Sequence, residues 1–162
     1  MELKGKAFKF GDDISTDHIA PGRLFHLRSN LPELAKHVLE DADPTFASKM
    51  SKGDFVVAGN NFGLGSSREH APQIIKIAGT GAVLAKSFAR IFYRNAINIG
   101  LPILECEQAA EEIQPGDEVS VDFDTGIITN LTAGKTYQAA PFPPFIQNII
   151  AKGGLLASLK EG

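Results

Sequence analysis

The strongest constraint on the fold is a strand, loop, helix and strand pattern in the middle of the chain. Residues 55–58 form an apolar run typical of a buried strand, and residues 82–85 form another. Between these runs a glycine-rich loop, GNNFGLG at residues 59–65, leads into a helical pattern over residues 67–79. Two buried strands joined by a helix make a βαβ unit, so the sequence predicts that the strands pair in parallel.

The start of this predicted helix has the features of an anion-binding site. Pro72 is tolerated only in a first helical turn, which places the helix start near Ser67 or Arg68. Ser66 and Glu69 have the spacing of a capping box, and the amide groups of a first turn attract negative charge. Arg68 adds a guanidinium group that binds carboxylate or phosphate in a bidentate manner. The alternative is an ordinary capped helix with a solvated Arg68, and the motif is neither a P-loop nor a dinucleotide-binding fingerprint.

The flanking segments predict a mixed fold. Residues 3–10 alternate between apolar and polar side chains, as an opening strand does. Residues 87–96 have helical periodicity, with Ser87 as the predicted cap. Residues 118–138 alternate and turn twice, which is typical of an antiparallel meander. The sequence therefore predicts the α/β class, with a parallel core unit plus an antiparallel meander.

Length and composition restrict the classes of protein to which the chain belongs. A chain of 162 residues with 43% hydrophobic and 22% charged residues is long enough for one domain with a proper core. A formal net charge of -3 offers no basic surface for nucleic acid. No apolar run reaches the roughly 20 residues that cross a bilayer, and the first residues lack the apolar region of a secretory signal. We therefore expect a cytoplasmic domain with no nucleic-acid or membrane partner.

The cysteine and histidine content argues against a metal centre held by this chain alone. Cys106 is the only cysteine, so it cannot form an internal disulfide or supply the thiolates of an iron–sulfur cluster. Helical metal-ligand spacing is absent from the histidines, which are His18, His26, His37 and His70. The sequence therefore predicts no metal ligands in this chain and places any metal needed for function on another chain.

Two motifs carry a resemblance to a known family. GSSREHA at residues 65–71 resembles the signature of the swivelling domain of the aconitase superfamily, and GDDISTDHI at residues 11–19 resembles the second signature of that domain. The length of the chain narrows the resemblance to the free-standing small subunits of 3-isopropylmalate dehydratase and its close relatives. The resemblance implies a three-layer β/β/α swivelling domain over residues 1–162, with a mobile substrate-recognition loop within residues 20–50.

The resemblance also implies the chemistry. Members of this family move a hydroxyl group between adjacent carbons of a malate derivative by dehydration and rehydration, together with a large subunit that carries a [4Fe–4S] cluster. By resemblance, Ser66 is the base, while Ser67 and Arg68 hold a carboxylate of the small hydroxy-dicarboxylate substrate. Asp17 and His18 are expected to bind substrate at the edge of the same site, and Arg28 is a further expected substrate-binding residue. A serine acts as a base only as an alkoxide, so its surroundings must stabilise negative charge.

The loop that follows the motif at residues 11–19 is expected to recognise the substituent that differs between the substrates of these relatives. Apolar residues suit the isopropyl group of 3-isopropylmalate, an intermediate of leucine biosynthesis, whereas an arginine suits the additional carboxylate of homoaconitate. The loop carries both characters: Arg23, Leu24, Phe25, His26, Leu27 and Arg28. Its apolar majority favours 3-isopropylmalate, because Arg28 can turn to solvent and leave the apolar side chains to line the pocket.

Several other interpretations stay open. The chain is alternatively the small subunit of homoaconitase or of another dehydratase of malate derivatives, such as dimethylmalate dehydratase. Two interpretations belong to other classes of protein. One is a non-catalytic anion-binding regulatory module, and the other is a hydrolase that uses Ser66 with His70 or His18. The Gly-x-Ser-x-Gly elbow of one large class of hydrolases is absent.

The second predicted helix carries two arginines, Arg90 and Arg94, one turn apart. They form either a solvated stripe or a contact for a partner protein.

Overall fold

A computed structural model describes residues 1–66 and 68–161 of the chain. The predicted role of Ser67 in substrate binding therefore lies outside the described residues. The strands are β1 (Glu2–Lys9), β2 (Phe55–Ala58), β3 (Ala82–Ala85), β4 (Ile103–Glu105), β5 (Glu118–Asp122), β6 (Ile127–Asn130) and β7 (Lys135–Gln138). The helices are α1 (Thr16–Ile19), a 3₁₀ helix (Gly22–Leu27), α2 (Leu31–Ala35), α3 (Phe46–Lys49), α4 (His70–Ile77), α5 (Arg90–Asn98), α6 (Glu107–Glu112), α7 (Pro144–Ala151) and α8 (Leu155–Glu161). None of these described helices has the length and apolarity needed to span a membrane.

The seven strands form one mixed sheet in the order β4-β3-β2-β1-β5-β6-β7. β1 joins the two halves of this sheet, because residues 7–9 pair in parallel with β2 while residues 2–6 pair antiparallel with β5. β2 and β3 pair in parallel, as the βαβ pattern predicts, and β4 continues the parallel half. β5, β6 and β7 form the predicted antiparallel meander. The predicted α/β class is confirmed.

Burial differs between the two halves of the sheet. Every residue of β2 and β3 is fully buried, as expected for parallel strands covered on both faces. Buried and accessible residues alternate along β5 and β6, so one face of the meander is turned toward the core. α4 and α5 connect successive parallel strands in the same direction across the sheet and pack against each other, which places both helices on one face. The loops that follow the parallel strands are thereby held on a rigid unit.

The second half of the segment spanning residues 20–50 is anchored in the core. Its buried large apolar side chains are Leu34, Val38, Leu39 and Phe46. α2 also packs against α4, whereas the 3₁₀ helix before α2 has no buried residue. Mobility of a substrate-recognition loop within residues 20–50 stays a prediction, and the burial restricts such motion to the residues that precede α2.

α4 begins later than the sequence predicts. Its first residue is His70 and its N-cap is Glu69, which forms no side-chain capping bond. The predicted capping box of Ser66 and Glu69 is therefore wrong. Ser66 Oγ instead accepts a hydrogen bond from the guanidinium of Arg68, so Ser66 lies in the loop ahead of the helix. Pro72 does lie in the first turn of α4, as predicted.

α5 also begins later than predicted. Its first residue is Arg90 and its N-cap is Ala89, so the prediction that Ser87 caps this helix is wrong. The Oγ atom of Ser87 accepts a hydrogen bond from the backbone N–H of Asn61 at 2.9 Å instead. Ser87 therefore lies ahead of the cap position, and its hydroxyl joins the end of β3 to the loop after β2 instead of satisfying the first amide groups of the helix.

Candidate active site

The loops that follow β1, β2 and β3 meet at one edge of the sheet. Because these strands are parallel neighbours, their carboxyl ends lie side by side, which is where ligands bind in such sheets. The loop after β2, residues 59–66, lies in the middle and is here named the serine loop. Its Leu64 pairs with Ser15 of the loop after β1, and its Phe62 pairs with Phe88 after β3. The order of the strands therefore brings together two motifs that are distant in the sequence.

Gly63 brings the serine loop into close contact with α5. Its backbone φ is +85°, and a Cβ atom added at Gly63 would lie 2.2 Å from Cγ of Phe92. Phe92 is itself buried, so no room is left for a side chain at this position. The backbone N–H of Gly63 also donates to the carbonyl of Ile14 at 2.7 Å. A glycine is thus required where α5 and the loop after β1 approach the serine loop.

A cleft of about 200 Å³ opens between the serine loop, α1 and the start of α5. Its polar lining residues are Thr16, Ser66, Arg68, Arg90 and Asn95. Ser66 and Arg68 are the residues that the sequence predicts for this site. Sequence patterns did not identify Thr16 or Asn95, and they predicted either a solvated stripe or a partner contact for Arg90. The packing of α5 on the serine loop brings Arg90 and Asn95 to the cleft, and the hydrogen bonds of Thr16 to the serine loop bring α1 to it. No local sequence pattern reports this packing.

The guanidinium of Arg68 is engaged by three partners inside the chain. Its Nε donates to Ser66 Oγ at 3.1 Å, and its Nη1 donates to the carbonyl of Ala20 at 3.2 Å. Its Nη2 forms an ion pair with Asp17 Oδ1 at 2.7 Å. Two of its five N–H groups therefore donate hydrogen bonds within the chain, and the ion pair with Asp17 engages Nη2, which together fix the guanidinium against Ser66. Of the predicted site residues, the structure thus brings together Ser66, Arg68 and Asp17.

Thr16 holds the backbone of Ser66 in place. Its side chain is buried, and its Oγ1 donates to the carbonyl of Ser66 at 3.1 Å. The two hydroxyl oxygens lie 3.5 Å apart, and the backbone N–H of Thr16 donates to the carbonyl of Leu64 at 2.9 Å. The Oγ atom of Ser66 therefore faces one cation and one neutral hydroxyl, an environment that favours negative charge on this oxygen.

His18 stabilises the start of α1. Its Nδ1 accepts a hydrogen bond from the backbone N–H of Ser15 at 2.9 Å, while Ser15 Oγ accepts one from the backbone N–H of His18 at 3.2 Å. These reciprocal bonds form a capping box. Because Nδ1 is an acceptor, the ring proton lies on Nε2. His18 therefore positions the helix that carries Thr16 and Asp17.

Phe25 of the predicted specificity loop lies beside Arg68, and Arg28 of the same loop lies over the Phe25 ring. The guanidinium carbon of Arg28 lies 4.1 Å from the centroid of the Phe25 ring, and Arg28 Nη1 donates to the carbonyl of Phe25 at 3.1 Å. The guanidinium carbon of Arg68 lies 5.6 Å from the same centroid. An aromatic ring attracts cations toward its face, so Phe25 links the loop to the cleft. Phe25 is 47% exposed, and its ring is accessible to a ligand or a partner.

The remaining residues of this loop have other contacts. Leu24 and Leu27 pack against the hydrophobic core. Arg23 forms ion pairs with the carboxylates of residues 40–41, at 2.6 and 3.1 Å. His26 is exposed. Of the apolar residues expected to line the pocket, only the phenylalanine of the loop therefore lies next to Arg68.

His70, the first residue of α4, lies near the ring of Phe25, with the two ring centroids 6.5 Å apart. Burial lowers the pKa of His70 below its ordinary value of 6.5, and the positive charges of Arg68 and Arg28 lower this pKa further. The imidazole is therefore neutral in the folded protein at neutral pH.

This shift is expected to make the stability of the chain depend on pH. The unfolded chain takes up a proton at His70 near pH 6.5, whereas the folded chain takes it up only at lower pH. The free energy of unfolding should therefore fall as the pH is lowered from about 7.5 to about 5.5, and His70→Gln should reduce that fall. Denaturant titrations at several pH values measure the effect. His26→Gln, at an exposed histidine, is the control, and a wild-type slope in His70→Gln would contradict the expectation.

The described residues do not offer a ligand set for an iron–sulfur cluster. Within residues 1–66 and 68–161, no three His, Cys, Asp or Glu side chains are grouped so that they could hold a metal ion. Cys106, which is half-buried between β4 and α6, is a single thiol, whereas such clusters take three or four protein ligands.

The contacts of Ser66 also bear on the hydrolase interpretation. A hydrolytic serine needs a base, usually an imidazole, within hydrogen-bonding distance of its Oγ atom. The Oγ atom of Ser66 contacts the side chains of Thr16 and Arg68. In the described part of the chain, neither His18 nor His70 contacts it. The geometry therefore supplies a cation that stabilises an alkoxide, and it does not supply the base of a hydrolase.

The sheet order and the serine loop define a class of protein. A parallel unit whose loops converge on a serine and an arginine, joined through β1 to a meander, is the architecture expected of an aconitase-type swivelling domain. The family model of the aconitase C-terminal domain matches residues 28–109. The crystal structure of 3-isopropylmalate dehydratase from Methanocaldococcus jannaschii matches with a TM-score of 0.92 at 45% identity, covering 99% of this chain and 95% of that chain. The predicted swivelling-domain fold is confirmed.

Sequence relatives narrow this class to one family. The chain is 60% identical over 159 residues to 3-isopropylmalate dehydratase small subunit 1 of Thermotoga maritima, covering 98% of this chain and 95% of that protein. It is 58% identical over 161 residues to 3-isopropylmalate dehydratase small subunit 2 of Archaeoglobus fulgidus, covering 99% of this chain and 96% of that protein. The chain belongs to the family of 3-isopropylmalate dehydratase small subunits, which are hydro-lyase subunits. The resemblance carried by the two motifs is confirmed.

Proposed function

We propose that the chain acts in leucine biosynthesis as the small subunit of a 3-isopropylmalate dehydratase, and that Ser66 is the base of its reaction. The contact of 3.1 Å from Arg68 Nε to Ser66 Oγ supports this role most directly. A fixed guanidinium beside a hydroxyl oxygen favours the alkoxide, which is the form of serine that can remove a proton. Family membership supports the substrate and the type of reaction.

In the proposed reaction, Ser66 removes one proton and later returns it. Its alkoxide takes the proton from a substrate carbon that lies next to a carboxylate, and the resulting hydroxyl carries that proton. During rehydration the hydroxyl gives the proton to the adjacent carbon, which had carried the substrate hydroxyl, and the alkoxide is restored. Departure and return of the substrate hydroxyl are left to the large subunit.

The site is proposed to be complete only in the complex with an iron–sulfur large subunit. Ser66 is exposed in this chain, and water around an exposed alkoxide weakens its attraction to Arg68. A subunit that covers the cleft excludes this water and strengthens the attraction. The [4Fe–4S] cluster that the family implies would be held by that subunit, because the described residues of this chain do not supply its ligands.

The other predicted site residues receive different proposed roles. Hydrogen bonds within the chain use two of the five N–H groups of Arg68, so others are left for a substrate carboxylate. Asp17 is assigned a positioning role, because its carboxylate orients Arg68 and would repel an anionic substrate. His18 is likewise assigned the positioning of α1 through the capping box. Both assignments differ from direct substrate binding by Asp17 and His18, which is the expectation from the family resemblance.

We expect the chain to become active only when it is mixed with its large subunit, and the complex to prefer isopropylmalate to homoaconitate. Phe25, beside Arg68, offers an accessible apolar surface to an isopropyl group. Arg28, the cation suited to a further carboxylate, is already engaged by the ring and the carbonyl of Phe25. Comparison of kcat/KM for the two substrates in the reconstituted complex measures this preference, with each subunit alone as a control.

Replacement of Arg28 tests whether the charge of the loop determines the choice of substrate. Arg28→Ala should keep the order of the two substrates if the apolar ring of Phe25 determines the preference. A wild-type preference for homoaconitate that collapses in Arg28→Ala would show that the charge of Arg28 selects the substrate. Binding of hydroxy-dicarboxylates without turnover in the complex would instead favour the regulatory module.

A further inference from the structure

Arg90 supplies a positive charge to the cleft that has no counterpart in the described chain. Among the described residues that line the cleft, only Arg68 and Arg90 are charged. Arg68 is paired with Asp17 at 2.7 Å, and this carboxylate offsets its charge. Arg90 is exposed and, among the side chains that the structure describes, forms neither an ion pair nor a side-chain hydrogen bond. The net positive charge of the cleft therefore comes from Arg90.

The position on α5 distinguishes Arg90 from Arg94. Both arginines are exposed and lie one turn apart, so the sequence supports the same interpretations for both. Arg90 is the first residue of α5 and lines the cleft, close to the point where Gly63 meets Phe92. Arg94 is not among the residues that line the cleft. Arg94 is thus a matched control for any role that depends on the cleft.

We propose that Arg90 binds a carboxylate of the hydroxy-dicarboxylate substrate, an inference that rests on the proposed function. Each of the two carboxylates of such a substrate loses its hydration when the cleft is covered, so each needs a cationic partner. Arg68 donates two hydrogen bonds within the chain and is paired with Asp17. In the described chain Arg90 has no such commitment, and its guanidinium suits bidentate binding of a carboxylate. Arg68 and Arg90 would then hold different carboxylates of one substrate.

The test replaces each arginine by glutamine and assembles each variant with the large subunit. In Arg90→Gln the KM for isopropylmalate should rise about 10- to 100-fold, as expected for loss of a hydrogen bond to a charged group, with a smaller change in kcat. Arg94→Gln should match the wild type in KM and kcat. Arg90→Lys should recover part of the loss, because an ammonium restores the charge but not the bidentate geometry. Calorimetry should show the same affinity for the large subunit in all variants, and thermal unfolding of each chain controls for folding.

A second measurement tests directly the interaction of Arg90 with a carboxylate. Competitive inhibition by a malate-type dicarboxylate is compared with inhibition by its monoamides, in which one carboxylate is replaced by a neutral amide. For the wild type and Arg94→Gln, the inhibition constant of the dicarboxylate should be about 10-fold or more below that of the monoamide that binds more weakly. Arg90→Gln should lose most of this preference, because the partner of that carboxylate is gone.

The outcomes separate this inference from the proposed function. An unchanged KM together with an unchanged inhibitor preference in Arg90→Gln would overturn the inference. Weaker assembly at an unchanged KM would overturn it as well, because Arg90 would then be a contact for the large subunit. If the wild-type complex shows no turnover, the proposed function fails. Calorimetric binding of the dicarboxylate to wild-type and variant complexes then still decides whether Arg90 binds a carboxylate.

Discussion

Replacement of Ser66 by alanine is expected to lower the kcat of the reconstituted complex by about 10²–10⁴-fold, the usual contribution of a general base. The Oγ atom that accepts a hydrogen bond from Arg68 Nε at 3.1 Å is lost, and with it the proposed alkoxide. The serine loop should keep its position, because Thr16 donates to the backbone carbonyl of residue 66, which alanine retains. Steady-state kinetics measure kcat, and calorimetry measures assembly with the large subunit, which should stay near the wild-type affinity.

Two further variants show whether the loss has the proposed cause. Ser48→Ala removes an exposed hydroxyl on α3 and controls for the substitution itself. Arg68→Lys should also lower kcat, because an ammonium cannot hold Ser66 Oγ, Asp17 and the carbonyl of Ala20 at once. A Ser66→Ala complex with near-normal turnover would assign the role of the base to another residue.

Gly63→Ala is expected to lower the free energy of unfolding by about 2–5 kcal/mol, the sum of backbone strain and overpacking. The added Cβ would lie 2.2 Å from Cγ and 2.5 Å from Cβ of Phe92. Phe92 packs against the rings of Phe62 and Phe88, at centroid distances of 5.3 and 6.1 Å, and has no space to move aside. The serine loop must therefore move away from α5, which displaces Ser66 and lowers activity as well. Denaturant unfolding of the chain and kinetics of the complex measure the two effects.

Gly116→Ala separates strain from the clash with Phe92. Gly116 has the same φ of +85°, but a Cβ atom at Gly116 would meet nothing within 4 Å. Its replacement should therefore cost only the strain of a left-handed backbone, about 1–2 kcal/mol, and leave activity unchanged. If Gly63→Ala were no more destabilising than Gly116→Ala, the close approach of the serine loop and α5 would not be a determinant of stability.

The parallel unit could be predicted because its signals are local. Residues 55–58 and 82–85 are too apolar to face water, and the chain between them is too long for a hairpin. The strands β2 and β3 occupy these same residues. Alternation and turn residues in the last third of the chain likewise predicted the meander, which is formed by β5, β6 and β7.

The starts of the helices were predicted less well. Ser66 and Ser87 both have the spacing of a cap, yet each hydroxyl accepts a hydrogen bond from a group outside the helix. A capping bond contributes only about 1 kcal/mol, so another donor of similar strength decides which bond is formed. The sequence shows that such a donor exists, as with Arg68 and Asn61, but the path of the loop determines whether the donor reaches the hydroxyl.

Fold class could be derived from the amino-acid sequence, because the βαβ and meander patterns are local. The family, and the expectation that the two motifs share one site, followed from the resemblance that these motifs carry. Tertiary packing decided which side chains share the cleft. Leu24 and Leu27 are partly buried against the core, where burial of apolar surface is favourable, and they are not among the residues that line the cleft. Arg90 enters the cleft because the contact of Gly63 with α5 fixes which side of that helix faces the serine loop. The rotation of a helix about its axis is set by contacts between elements that are distant in the chain, and no local pattern contains that information.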